Sequence, residues 1–364
     1  MPAPAAIALV GAAALGGCDE GKQRNQKVRG PLVSVVESNV GPDRPLPANG
    51  VVKVRVDRYL LPASISRQAF ALSEASGAPI TENYLVSYDP VALTVTLSPE
   101  SAGQTGPDRT WLKLGQPYVL RFPVADENAQ NFGLRAIDGA TIDPKGLREI
   151  AFTVSKDSVP DAQVRPPTID FCRDVLPVLS QKCGAGSPCH GSSDSSAAGL
   201  FLTTPDGVRY TALRKGAAHG SNTGARAAAV NPGRVFGVDM PLVDPGQSAN
   251  SWLLYKVLLA PMPAEPGVST ACWSLGNDVY TPPLATTGIG LVQPDGIEQA
   301  TLADYVPGRE MPYPGNEGYI GQGLTYEERQ RLRLWIDQGA KVDACSRCTI
   351  KSTADAGAAD AGTD

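Results

Sequence analysis

Between residues 31 and 155, apolar side chains recur at every second position, the spacing of strands that bury one face. Val52, Val54 and Val56 share one face of a valine-rich run. Leu93, Val95 and Leu97 repeat the pattern, as do Tyr118, Leu120, Phe122 and Val124, and then Ile150, Phe152 and Val154. Turn residues separate these runs: Pro47-Ala48-Asn49-Gly50, Asp89-Pro90 and Asp138-Gly139. Short strands with no helical periodicity between them predict an antiparallel β-sandwich over 31–155.

Ahead of this region, Ala5 to Leu15 is apolar but too short to span a bilayer, and has the length of a signal-peptide core. It runs into Leu15-Gly16-Gly17-Cys18, followed by Asp19 and Glu20. These residues resemble the lipobox of bacterial lipoproteins, although no Lys or Arg precedes the run. The resemblance implies a signal peptide over 1–17, lipid on Cys18, a tether over 18–30, and a place in the cell envelope. There the lipid holds the chain to a membrane, in the periplasm or on the cell surface. No other run approaches 18 apolar residues.

Residues 156–167 carry Pro and charge with little apolar content and read as a linker. Beyond it the pattern changes. Asp174 can cap a short helix with Pro177 in its first turn, and Val175, Val178 and Leu179 line one face. Thr325 and Glu328 form a capping box, Leu332, Trp335 and Ile336 follow at helical spacing, and Gly339 fits the stop. The Ala/Asp/Gly/Thr stretch at the end of 349–364 reads as a disordered acidic tail.

Six of the seven cysteines lie in this second half. Cys183 and Cys189 are followed directly by His190. C-x-x-C-H is the attachment site of c-type haem, in which two thiols bond the porphyrin and the histidine takes the iron. Here the gap is five residues, and six helical steps turn about 240° past a full circle. A straight helix would point the thiols apart, so Gly184, Gly186, Ser187 and Pro188 would have to form a bulged loop. A disulfide between Cys183 and Cys189 is the other reading. Cys172, Cys272, Cys345 and Cys348 can form two further disulfides, with pairings that spacing does not decide.

Two resemblances extend these readings. Pro31-Leu32-Val33, Pro47 to Gly50, Val56-Asp57-Arg58-Tyr59-Leu60, Tyr88-Asp89-Pro90 and Val95 to Pro99 resemble phrases of bacterial Ig-like domains. That likeness implies a spacer or binding module. Asp174 to His190, Gly199 to Leu202, Val243 to Val257 and Met311 to Ala340 follow the order of motifs in bacterial cytochrome-c-like domains. This second likeness implies a mostly α domain with long loops over 168–348. It implies haem c on Cys183 and Cys189, iron held by His190 and Met311, and electron transfer to a redox protein partner. Met262 is a rival iron ligand, whereas His219 lies in an Ala/Gly stretch and is expected to be solvated.

The whole chain thus reads as multidomain, an Ig-like sandwich followed by a cytochrome-c-like domain. The alternative is a haem-free, disulfide-stapled surface lipoprotein with a scaffolding or adhesion role. Net charge of −5 speaks against nucleic-acid binding. No G-x-S-x-G, H-E-x-x-H or P-loop pattern occurs, so no enzymatic activity is expected.

Overall fold

In the computed structural model, the described residues are 29–80, 83–100, 111–125, 133–160, 166–184, 189–191, 196–214, 236–238, 240–263, 294, 296–306, 310–312 and 323–345. Residues 1–28 with Cys18, His219, Cys272, Cys348 and the tail lie outside them.

Seven strands form two antiparallel sheets. β1 (Val35–Ser38), β2 (Val52–Val56), β5 (Thr94–Pro99) and β4 (Tyr84–Asp89) lie in the order β1-β2-β5-β4. The second sheet has the order β3-β6-β7, with β3 (Ala71–Glu74), β6 (Pro117–Arg121) and β7 (Glu149–Thr153). Register explains why the alternation works. Val52 pairs with Leu97 and Val54 with Val95, while Tyr118 pairs with Phe152 and Leu120 with Ile150. Each pair thus puts two apolar side chains on the same face, and all eight are buried.

The turns follow their chemistry. Gly50 N–H donates to Pro47 O, and Asp89 Oδ1 accepts from the amides of Val91 and Ala92 at 2.8 and 3.1 Å. Two details depart from strict alternation. Leu93 precedes β5 with φ 52°, a conformation rare for a branched residue, yet stays buried. Val124 lies beyond the end of β6 and is 43% exposed, so the inward pattern stops with Phe122.

The expected fold class is corrected in the second half, which is not a mostly α domain. Its α-helices among the described residues are α1 (Leu176–Val178), α2 (Pro205–Thr211), α3 (Trp252–Leu258), α4 (Gly296–Tyr305) and α5 (Tyr326–Asp337). They are separated by irregular chain, and the sheets dominate the described architecture. Pro177 shows one reason. The helical segment starts at Phe171, capped by Asp170 rather than Asp174, so Pro177 falls inside it and not in its first turn. Lacking an N–H, proline breaks the ladder, and α1 is flanked by π-helical turns at Phe171–Val175 and Leu179–Cys183.

Packing shows another reason. Every residue of α3 is buried, even Lys256. A helix apolar on all sides belongs in the middle of a core. Phe236 packs against both Trp252 and Tyr255, at 6.1 and 5.3 Å between ring centroids. One hydrophobic cluster runs without a break from Val33 in the first half to Ala340 in the second. These helices bury their apolar faces in a core shared with the sheets.

Candidate functional site

Backbone hydrogen bonds place the described residues 183–184 and 189–191. Gly184 N–H donates to Leu179 O and closes the π-helical turn at 2.9 Å. His190 N–H then donates to Cys183 O at 3.0 Å, drawing the two ends of the six-residue step together. Ala197 N–H bonds Cys189 O, Leu202 N–H bonds His190 O, and Thr203 Oγ1 donates to Gly191 O. Two glycines are required by close approach. A Cβ on Gly191 would overlap Gly184 O, and one on Gly184 would overlap the Thr203 methyl.

Cys183 and Cys189 are both free thiols, so they do not form a disulfide with each other in this structure. Cys183 is buried, and burial followed by the neighbouring Cys189 pushes its thiol up to about 12. Cys189 is half-buried. His190 Nδ1 lies 3.0 Å from Leu200 O. A carbonyl can only accept, so Nδ1 carries the hydrogen. Burial lowers the imidazole's pKa against the opposing effect of that bond, which favours the neutral ring. The sequence-predicted Cys183, Cys189 and His190 are therefore brought together. Met311 N–H donates to Lys256 O on α3 at 3.1 Å.

The expected haem is corrected by this geometry. Among the described residues no group of three or more His, Cys, Asp or Glu side chains is arranged to hold a metal ion. The opening helical segment and α5 pack directly on each other through side chains. Phe171 lies against Trp335 with ring centroids 5.6 Å apart, and Val175, Val178, Leu179, Leu332 and Ile336 are buried with them in the core. A cavity of about 240 Å³ opens elsewhere, between the β4 strand and the turn before α3, lined by Pro62, Ile65, Val86, Tyr88, Ser248 and Asp337 among others. Neither a cysteine nor a histidine lines it.

A second cluster joins the two halves. Arg58, 2% exposed, donates from Nε to Glu298 Oε2 and from Nη2 to Asp138 Oδ2, each at 2.8 Å. Its Nη1 donates to Pro31 O, and Gly30 N–H donates to the same Asp138 oxygen. Tyr59 N–H completes the set on Glu298 Oε1 at 2.6 Å. Burial opposes charge on Arg58, but the bonds to Asp138 and Glu298 win and hold its pKa above the usual value. Burial raises the Glu298 carboxyl despite Arg58. For Asp138, burial is outweighed by bonds from Ala140 N–H, Arg58 and Gly30 N–H, and the pKa falls. Arg58 stood in the strand phrase without a role, and nothing local marked Glu298 as its partner.

A disulfide closes the second half. Cys172 and Cys345 are joined at 2.04 Å, with α-carbons 5.5 Å apart and a sequence separation of 173.

No family model and no curated protein matches the chain. Solved structures give weak likenesses to bacterial surface-layer proteins. The S-layer protein rSbsC(31-844) aligns over 39% of this chain and 16% of its own, at 15% identity and a TM-score of 0.24. Domains 1-6 of surface layer protein SbsC align over 39% and 15%, at 17% identity and a TM-score of 0.24. These likenesses assign the chain to no family. They span about a sixth of those longer proteins and carry no argument about what this one does.

Proposed function

We propose that the chain is a haem-free, disulfide-stapled module of the cell envelope, tethered through lipid on Cys18 and serving as a scaffold rather than a catalyst. The observation that supports this reading most is the Cys172–Cys345 bond. It ties the entry of the second half to its exit, next to the Phe171–Trp335 contact. Disulfides persist in exported proteins and are rare where thiols are kept reduced. The buried Arg58 cluster adds a polar joint between the halves, which suits a body that must hold one shape under load.

Expression of the whole chain with its leader in a bacterial host tests the reading. Non-reducing peptide mapping should yield a Cys172–Cys345 cross-linked pair, and labelling with a radioactive fatty acid should place lipid on Cys18. Recovery of Cys172 and Cys345 as free thiols from the exported protein would overturn the stapled scaffold.

A further inference from the structure

We propose that Cys189 and Cys183 form a second, reactive thiol couple, in which Cys189 receives an incoming disulfide and Cys183 resolves it. The inference rests on the haem-free reading, because thioethers would consume both thiols. Three observations carry it. Both thiols are free, the 3.0 Å bond from His190 N–H to Cys183 O holds the residue next to Cys189 against Cys183, and the two differ in access. Cys189 is half-buried whereas Cys183 is only 6% exposed. An outside reagent therefore meets Cys189 first.

The chemistry needs a disulfide as oxidant, either a small one or that of a thiol–disulfide carrier. Cys189 loses its proton to solvent, and its sulfur attacks one sulfur of that disulfide. The S–S bond breaks and one external thiolate leaves. Cys183 then loses its proton, and its sulfur attacks Cys189 Sγ. A Cys183–Cys189 bond forms as the second external thiolate departs. The two protein thiols lose two electrons and two protons, and the external disulfide becomes two thiols. Burial holds Cys183 near 12, so its thiolate is scarce at neutral pH and the second step is the slow one. The mixed disulfide on Cys189 must accumulate before the ring closes.

Oxidised glutathione is the probe. The whole folded protein is pre-reduced only as far as leaves Cys172–Cys345 intact, then exposed, acid-quenched at intervals and digested with trypsin. Cys183 and Cys189 fall in one peptide, Cys183–Arg209. That peptide should first gain one glutathionyl group, located on Cys189 by fragmentation. It should then convert to a form lighter than the free dithiol by two hydrogen atoms. Conversion should quicken about tenfold per pH unit from 7 to 9, as the scarce thiolate is exposed. The Cys183→Ser protein should stop at the adduct, and Cys189→Ser should show neither form. Because the wild type alone reveals the order, a misfolded variant leaves the test intact. An adduct on Cys183 first, or a peptide that never becomes lighter, overturns the couple. Visible haem absorbance in the starting protein would instead overturn the haem-free reading.

Discussion

Glu298 receives two donors from consecutive residues of the first half of the chain, the guanidinium of Arg58 at 2.8 Å and the backbone amide of Tyr59 at 2.6 Å. The Arg58–Glu298 pair spans 240 positions of sequence and is almost fully buried. Removing one partner of a buried pair strands the other in a medium that cannot solvate it. Arg58→Met leaves both Asp138 and Glu298 without their cation. It should cost about 3–5 kcal/mol in urea unfolding at pH 7. Adding Glu298→Leu to that variant should recover part of the loss, since one buried carboxylate that has lost its guanidinium disappears. A loss below about 0.5 kcal/mol for Arg58→Met would place it with ordinary surface changes and refute the joint.

Asp89 serves the turn and the junction with different oxygens. Oδ1 accepts the amides of Val91 and Ala92, while Oδ2 accepts from Gln330 and lies 3.2 Å from Arg333 Nε. Asparagine keeps an acceptor for the turn and gives up the charge facing α5. Asp89→Asn should therefore cost about 1 kcal/mol and Asp89→Ala about 2–3 kcal/mol, because alanine also orphans the turn amides. Equal losses for the two variants would show that the turn bonds carry no weight.

Local signals were legible and distant ones were not. The capping box on Thr325 and Glu328 forms both of its bonds, because partners three residues apart meet whenever the helix starts. The strand faces of β2 and β7 were equally legible, since alternation is decided within one strand. The fold of the second half was not. The cytochrome-like phrases do mark helices at Trp252–Leu258 and Tyr326–Asp337, but motif order does not say what fills the space between them. Phe171 packs on Trp335 of the second of these helices. Arg58–Glu298 and Cys172–Cys345 were invisible for the same reason, as each depends on how remote segments dock.

The Cys172–Cys345 bond closes a loop of 173 residues, and a long loop loses much chain entropy in the unfolded state when cross-linked. The Cys172→Ser/Cys345→Ser double variant should be less stable by about 4–5 kcal/mol by denaturant titration. An unchanged midpoint would show that the bond contributes nothing to the body's stability.

His190 supplies a pH dependence. Burial depresses its folded pKa, so the unfolded chain binds the proton more readily. The histidine's contribution is present above its unfolded value of 6.5 and is lost as pH falls through the folded value. His190→Gln should therefore flatten the decline in unfolding free energy between pH 7 and pH 5. An unaltered slope would mean that burial does not hold the ring neutral against the Leu200 bond.

The central claim is that the second half is closed by a disulfide and by side chains, with no porphyrin in it. Visible absorption of the dithionite-reduced protein, purified from a host that matures c-type cytochromes, tests this most directly. A colourless protein is predicted, with its Cys183–Arg209 tryptic peptide free of any haem mass. Sharp haem bands, together with a haem increment on that peptide, would contradict the account.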